Sequence, residues 1–365
     1  MTYVTWMREL TKQHWTSLAV AGLLWGCSEP SCEETLTCAA PRAAVDSGSD
    51  SSLQPLEAGA DAKPGNSSPT VVSVSPANNA TGVANGARIV IRFSEPMDQV
   101  ATTAAFVSAD LPVSEAVTSW DATGTVLTVT PSTVLLYSAG TSPSTQAKRY
   151  RYTITSHAKD LAGNHMEIGP DVSFSTLRRI TQRLVADPQN LRGEAVDTTC
   201  KLTVIPATET RPASVLPAIV RVGDMLDNKA EKVWSVFELS ALAPDVVQFE
   251  AATLTATQDP AKGDPYAGSL GSLILEHVHF ATNDPSEWSK PALGALGVFS
   301  ATTSSPVHAN VLEAFRDDYT QRDARKQQSQ YRLAFSQATN NDGVADVAQF
   351  TCQDGFTLDV VYLAP

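Results

Sequence analysis

From residue 69 onward the chain alternates apolar and polar positions in short runs. Ile89, Ile91 and Phe93 fall on one side of an extended segment, and Arg88, Val90 and Arg92 on the other. Leu127 and Val129 alternate with Val126, Thr128 and Thr130, and Tyr150, Tyr152 and Ile154 with Arg151 and Thr153. A period of two is that of a strand with one face buried. Turn-forming clusters separate the runs: Pro76 to Asn79, Asn85-Gly86, and Asp160 to Asn164. The pattern predicts an all-β sandwich over 69–177 with no helix-period stretch inside it. The second half also reads as mostly β, with strands expected at 233–239, 252–256, 273–280, 331–335 and 358–362. One amphipathic stretch, 311–325, places Val311, Leu312 and Phe315 on one helical face. It predicts a short helix crossing an end of a second sandwich.

The first 68 residues have a different character. Residues 39–68 are rich in Ala, Ser, Gly, Asp and Pro and nearly devoid of large apolar side chains. Such a segment cannot bury enough surface to offset its ordering entropy, which predicts a disordered, flexible tether. Upstream, Arg8 and Lys12 precede an apolar run, 17–25, and Gly26 precedes Cys27, the layout of an export signal. That run is too short to cross a bilayer as a helix. Leu24-Trp25-Gly26-Cys27 resembles the lipobox of bacterial lipoproteins, whose cysteine receives diacylglycerol; Trp25 stands where a small residue is usual. An ordinary signal peptide, with Cys27 in a disulfide, is the other reading. The chain has five cysteines, and an odd count in an exported protein favours lipidation of Cys27. Cys32, Cys38, Cys200 and Cys352 then remain. Cys32 and Cys38 enclose five residues, a small disulfide loop; as a metal pair they lack further His or Cys nearby. With Ser28 after the Cys, the resemblance implies delivery to the outer membrane. The organisation is a signal at 1–26, a lipidated Cys with Cys loop and linker at 27–68, a first sandwich at 69–177 and a second at 178–365.

The first sandwich carries a family resemblance. Pro69-Thr-Val-Val-Ser-Val-Ser-Pro76, Asn78-Asn-Ala-Thr-Gly-Val83 and Ile91-Arg-Phe-Ser-Glu-Pro-Met-Asp98 resemble the opening of the bacterial Ig-like domain of the S-layer-protein type. Tyr152-Thr-Ile-Thr155, Lys159-Asp-Leu-Ala-Gly-Asn164 and Phe174-Ser-Thr176 resemble its closing strands. The resemblance implies a spacer or adhesive module. In the second half, Val222-Gly-Asp224, Ser235 to Ser240, Ala251 to Leu254, Gln330 to Phe335, Asn341-Asp-Gly343 and Leu358 to Tyr362 resemble the DNRLRE-type domain. That family is a jelly-roll-like sandwich, similar to carbohydrate-binding modules, found in secreted bacterial proteins. Glu238 replaces its usual Asp, and 350–355 replaces its pre-terminal loop. In a jelly roll the first and last strands commonly lie side by side, so the resemblance implies a Cys200–Cys352 disulfide. Pairing either cysteine with Cys32 or Cys38 would instead fold the tether back onto the second sandwich.

Composition narrows the function. The net charge is −13, and the 26 basic residues are scattered, which argues against nucleic acid and anionic membrane surfaces as partners. No nucleophile elbow, zinc-protease helix, P-loop or dinucleotide fingerprint occurs, and the chain is expected not to be an enzyme. His277-Val-His279 has a strand spacing that can ligate a metal, with His308 as the other His of this half. The alternative places both rings on the solvent face of a strand whose core side is Ile274, Val278 and Phe280. The run from Asn340 through Asp342 to Asp346 is oxygen-rich and contains Gly343, as a calcium loop does, but lacks EF-hand spacing. A plain turn explains it equally; no cofactor is required, and calcium is the alternative. Trp120 and Trp288 lie in turn-like contexts and are candidates for stacking on sugars, with packing as the competing role. Trp234, in an apolar strand, reads as core.

The expectation is a non-catalytic lipoprotein on the outer membrane, at the cell surface or periplasmic face. It would present its sandwiches to a polysaccharide or a surface protein, or serve as an envelope spacer without a ligand. Mass spectrometry of the unreduced membrane fraction tests the cysteine assignments together. An acylated N-terminal Cys27 and a crosslinked Cys200–Cys352 peptide are expected; an unmodified Cys27, or free thiols at 200 and 352, sinks the corresponding assignment.

Overall fold

The alternating runs become strands with the expected side buried. The computed structural model describes residues 67–186, 219–280, 288–351 and 355–365. The export signal, all five cysteines and the tether up to residue 66 lie outside the described residues. The first part contains β1 (Val71–Ser75), β2 (Ala80–Val83), β3 (Ile89–Phe93), α1 (Gln99–Ala104) and β4 (Phe106–Val107). It continues with β5 (Ala116–Trp120), β6 (Val126–Pro131), β7 (Ser138–Gly140), β8 (Arg149–Ile154) and β9 (Asp171–Thr176). One sheet has the order β1-β3-β6-β5 and the other β2-β9-β8-β4. Ile89, Ile91, Phe93, Leu127, Val129, Tyr150, Tyr152 and Ile154, picked out by their period of two, are all buried in one core between the sheets.

One element was not expected. Helix α1 has six residues, fewer than two turns, too short to show a 3.6 period. Its cap sets it: Asp98 Oδ1 accepts from the backbone N–H of Val100 at 3.1 Å and of Ala101 at 3.0 Å. These contacts, the Ala101 N–H foremost, hold the Asp98 carboxyl below its ordinary pKa.

The second part begins at once with β10 (Arg178–Val185) and continues through β11 (Ile219–Asp224), β12 (Ala230–Glu231), β13 (Val233–Glu238), β14 (Gln248–Ala256) and β15 (Gln258–Lys262). Then come β16 (Leu273–His277), β17 (Gly294–Ser300), β18 (Val307–Asn310), α2 (Leu312–Thr320), β19 (Gln328–Phe335), β20 (Asp346–Thr351) and β21 (Phe356–Ala364). One layer is the sheet β18-β14-β21-β10-β7; the other consists of β13-β19-β16-β17 and β12-β11-β20-β15. A single core between them joins Leu254, Leu358, Val360 and Tyr362 to Val222, Phe237, Leu275, Tyr331, Leu333 and Phe350. The described residues are mostly β, one sandwich followed by a second. The expected strand at 273–280 stops at His277, and the helix expected over 311–325 spans nine residues.

The two sandwiches are joined by a shared sheet. β7 belongs in sequence to the first, yet pairs in parallel with β10, Ser138 opposite Arg178 and Gly140 opposite Ile180. Pro365 also reaches back to the first sandwich. Gly82, at φ +67°, lies against Pro365, and a Cβ there would come within 3.3 Å of that ring. The described residues from 67 to 365 fall within one compact unit.

Core packing gives a direct test. Ile91 is 0% exposed, and Ile91→Ala should lower the unfolding free energy by about 2–5 kcal/mol. Val100, 82% exposed, should tolerate Val100→Ala within about 0.5 kcal/mol. Urea denaturation of both variants checks it; equal effects would contradict the burial described.

Candidate functional site

His277 does not face solvent. It shares a side of β16 with Leu273 and Leu275, and all three are buried. Ile274 and Val278 lie on the opposite side, and Val278 and Phe280 pack outside the main core, the reverse of the arrangement expected from the pattern. The reason is physical. A strand covered on both faces carries apolar residues on both, and period two then cannot tell inside from outside. His277 Nε2 donates to Asp318 Oδ1 of α2 at 2.9 Å. Arg325 donates to the same oxygen and, through Nη2, to Asp317 Oδ2 at 2.6 Å. Ser329 Oγ donates to Asp318 Oδ2 at 2.6 Å, and the Tyr331 hydroxyl lies 2.9 Å from that Oγ.

This cluster holds the residue types of a hydrolytic triad in the wrong connectivity. Both Ser329 and His277 bond to Asp318, and Ser329 is 0% exposed. A nucleophile must be bonded to its base and reachable by substrate. The arrangement is a buried clasp of α2 onto β16 and β19. Burial, then the Asp318 charge, pushes the Tyr331 pKa up, so that hydroxyl stays neutral. Burial works against the Asp317 carboxylate, but the hydrogen bonds from Arg325 and Gln321 outweigh it and hold its pKa below the ordinary value. A depressed carboxylate pKa contributes stability above its unfolded value and loses it as pH falls through the folded one.

The other candidates are dispersed. His279 lies just past the end of β16, and His308, exposed on β18, sits 2.9 Å from Thr255 Oγ1. Among the described residues, no three His, Cys, Asp or Glu side chains are grouped so as to hold a metal ion. Trp120 stacks on Phe93 at 5.8 Å, and its Nε1 donates to Thr103 Oγ1 at 3.1 Å, which ties it to the rim of the first sandwich. Trp234 is buried, but in a small separate cluster with Val236, Val278 and Phe280 on the outer side of β13 and β16. Trp288, half-buried, covers that cluster with its ring 5.4 Å from Trp234. Lys232 Nζ stands 5.0 Å from the Trp288 ring, and burial, then the Arg332 charge, lowers its pKa against the pull of Glu276. Arg332 donates to Glu276 Oε2 at 2.6 Å and to the Lys290 carbonyl at 2.9 Å.

The loop after β19 is tied down from several sides. Asn340 Nδ2 lies 2.8 Å from Ser269 Oγ, 2.8 Å from Asp342 Oδ2 and 3.0 Å from Asp346 Oδ2. Asp346 also accepts from the Asp264 N–H and the Ser269 hydroxyl, each at 2.7 Å. Gly343 N donates to Asn228 Oδ1 at 2.9 Å. Asp224, at the end of β11, accepts from Thr339 Oγ1 at 2.5 Å and Asn340 N at 3.1 Å. The sequence reading did not single out Asp224, Asn228 or Ser269 for chemistry. The available signal was Asp224 itself, a carboxylate closing the apolar run that starts at Ile219. In the first sandwich a shallow groove of about 390 Å³ runs between β1 and the entry to β9, lined by Val71, Val72, Val74, Ile168 and Pro170.

Comparison with known proteins places the first sandwich. Residues 65–176 match the bacterial Ig-like domain. No curated protein matches the chain. Among solved structures, an L,D-transpeptidase from Mycobacterium smegmatis is 15% identical with TM-score 0.23, over 53% of this chain and 64% of that one. The N-terminal part of the bacterial S-layer protein SbsC is 16% identical with TM-score 0.21, over 48% of this chain and 42% of that one. SGBP-B of a Bacteroides ovatus mixed-linkage glucan utilization locus, solved with a mixed-linkage heptasaccharide, is 10% identical with TM-score 0.15, over 78% and 73%. The chain thus spans under two thirds of the first two, and likenesses this low carry no activity across. No described helix is long and apolar enough to cross a membrane.

The clasp predicts an asymmetry between neighbouring carboxylates. Asp318→Ala strands a buried Arg325 and should cost about 3–5 kcal/mol. Asp317, with its side chain 45% exposed, should cost no more than about 1 kcal/mol as Asp317→Ala. Chemical denaturation at neutral pH measures both; a larger loss for Asp317→Ala would refute the clasp.

Proposed function

We propose that this chain is a non-catalytic lipoprotein of the cell envelope, anchored through Cys27, that presents its sandwich unit for adhesion to a polysaccharide. The observation that carries the reading is the shared sheet. β7 of the Ig-like sandwich continues into the sheet of the second one, so the unit is held as one presenting body. Its Ig-like part matches a bacterial family, and the lipobox-like segment and odd cysteine count support export and anchoring. The face that fits a sugar is the outer side of β13 and β16. There the half-buried indole of Trp288 offers apolar surface, and the half-buried Lys232 and Glu276 beside it offer polar contacts to hydroxyls. A surface protein is the other partner class for the same face.

The experiment is a polysaccharide pull-down and glycan array with the full chain. Binding is expected, with Trp288→Ala weakening it at least tenfold and Trp120→Ala leaving it unchanged. Absence of binding to every polysaccharide removes the adhesive reading and leaves the envelope-spacer one. Binding insensitive to Trp288→Ala moves the site elsewhere.

A further inference from the structure

We infer that Asp224 and Asp346, with Asn340 and Asp342 beside them, form a binding site for a hard divalent cation of the calcium type. Asp224 is the last residue of β11 and Asp346 the first of β20, and the two stand directly opposite in register. Opposed residues of an antiparallel pair share a face, with Cβ atoms about 4.5–5.5 Å apart, and like charges there repel. Here both carboxylates are buried, Asp224 at 0% and Asp346 at 5% exposure. Among the described residues, neither is paired with a Lys, Arg or His.

The hydrogen bonds leave a defined deficit. Both oxygens of Asp346 receive donors, and so does Asp224 Oδ2. Asp224 Oδ1 has no partner although it is fully buried. A buried anionic oxygen without a donor is among the costliest features a fold can contain, and the opposing carboxylate adds to it. One cation on that face relieves both.

The surroundings have the matching chemistry. Asn340 Nδ2 lies within 3.0 Å of Ser269 Oγ, Asp342 Oδ2 and Asp346 Oδ2, so three side-chain oxygens converge on one point beside the pair. Turning the amide over presents its own Oδ1 to the same place. Room for the Asp346 carboxylate depends on Gly263, at φ +70°, whose Cβ would stand 2.2 Å from Asp346 Oδ1. Carboxylates and neutral oxygens, without nitrogen or sulfur, select hard cations. Calcium accepts irregular shells of six to eight oxygens, whereas magnesium demands a near-ideal octahedron. Two opposed carboxylates completed by neutral oxygens suit calcium, even though no three acidic side chains stand ready as a cage.

The test uses the full chain, stripped with chelator and titrated with calcium chloride by calorimetry and thermal melting. About one calcium per chain is expected, with a Tm rise of roughly 5–10 °C at a hundredfold excess over Kd. Asp224→Asn keeps an acceptor for Thr339 and Asn340 but removes the charge. It should melt no lower than wild type in chelator, bind calcium at least tenfold more weakly, and lose the Tm rise. No heat and no Tm change in the wild type overturns the site, and so does an Asp224→Asn protein that responds as wild type does. Should that variant fail to fold, Asn340→Ala replaces it with the same two outcomes.

Discussion

Residues Phe356–Ala364 lie between β14 and β10 and pair with both along nearly their whole length. Phe356, Leu358, Val360 and Tyr362 point from this strand into the core, and each is at most 1% exposed. Without β21, neither neighbour has a partner on its inner edge. The pairing is also distant in sequence: Arg183 and Asp359, which meet through a two-pronged ion pair across β10 and β21, are 176 residues apart. Contacts of such separation pay the closure entropy of a long loop before they gain anything, which makes folding of this sheet slow and its stability collective. The second layer, the α2 clasp and the 340–346 loop are all held between these late-meeting strands.

The polar interior shows how such a fold tolerates charge. Glu276 and Arg332 are cross-strand partners, as are Arg183 and Asp359, so the ladder that pairs the backbones also neutralises the side chains. Asp318 sits within reach of a guanidinium, an imidazole and a hydroxyl. Asp224 opposite Asp346 breaks the rule, since the register sets two anions side by side. Asp318 with Arg325, and Arg332 with Glu276, set opposite charges together; Asp224 and Asp346 do not.

Much of the fold was legible because one-sided strands announce themselves. β3, β6 and β8 each have a wet side, and the alternation of Ile89, Ile91 and Phe93 with Val90 and Arg92 translates directly into inside and outside. In the second half β13, β16 and β19 are largely covered on both sides, and there the pattern located the strands but misjudged which way β16 faces. His277 was misplaced for that reason, since its neighbours Leu275 and Val278 are both buried but on different sides. The candidate sites were less legible still. Asp318, Arg325 and Ser329 come together only through the turn after α2, and Asp224 meets Asp346 only through a register that spans 122 positions of chain, which no local spacing encodes. Trp288 and Trp120 stand out in the sequence as aromatics near turns, but their packing against Trp234 and Phe93 depends on tertiary contacts.

The parallel pairing of β7 with β10 bears on how such a protein can be assembled by recombination. β9 ends at Thr176 and β10 starts at Arg178, so a cut at the family boundary looks clean on paper. Physically it would carry β7 away with the Ig-like cassette and leave β10 with an unpaired edge, the kind of surface that recruits strands from other chains. The cassette would in turn lose the partner of Ser138–Gly140 and the Pro365 ring that covers Gly82. Separable as coding segments, the two sandwiches can be inherited intact only as a pair.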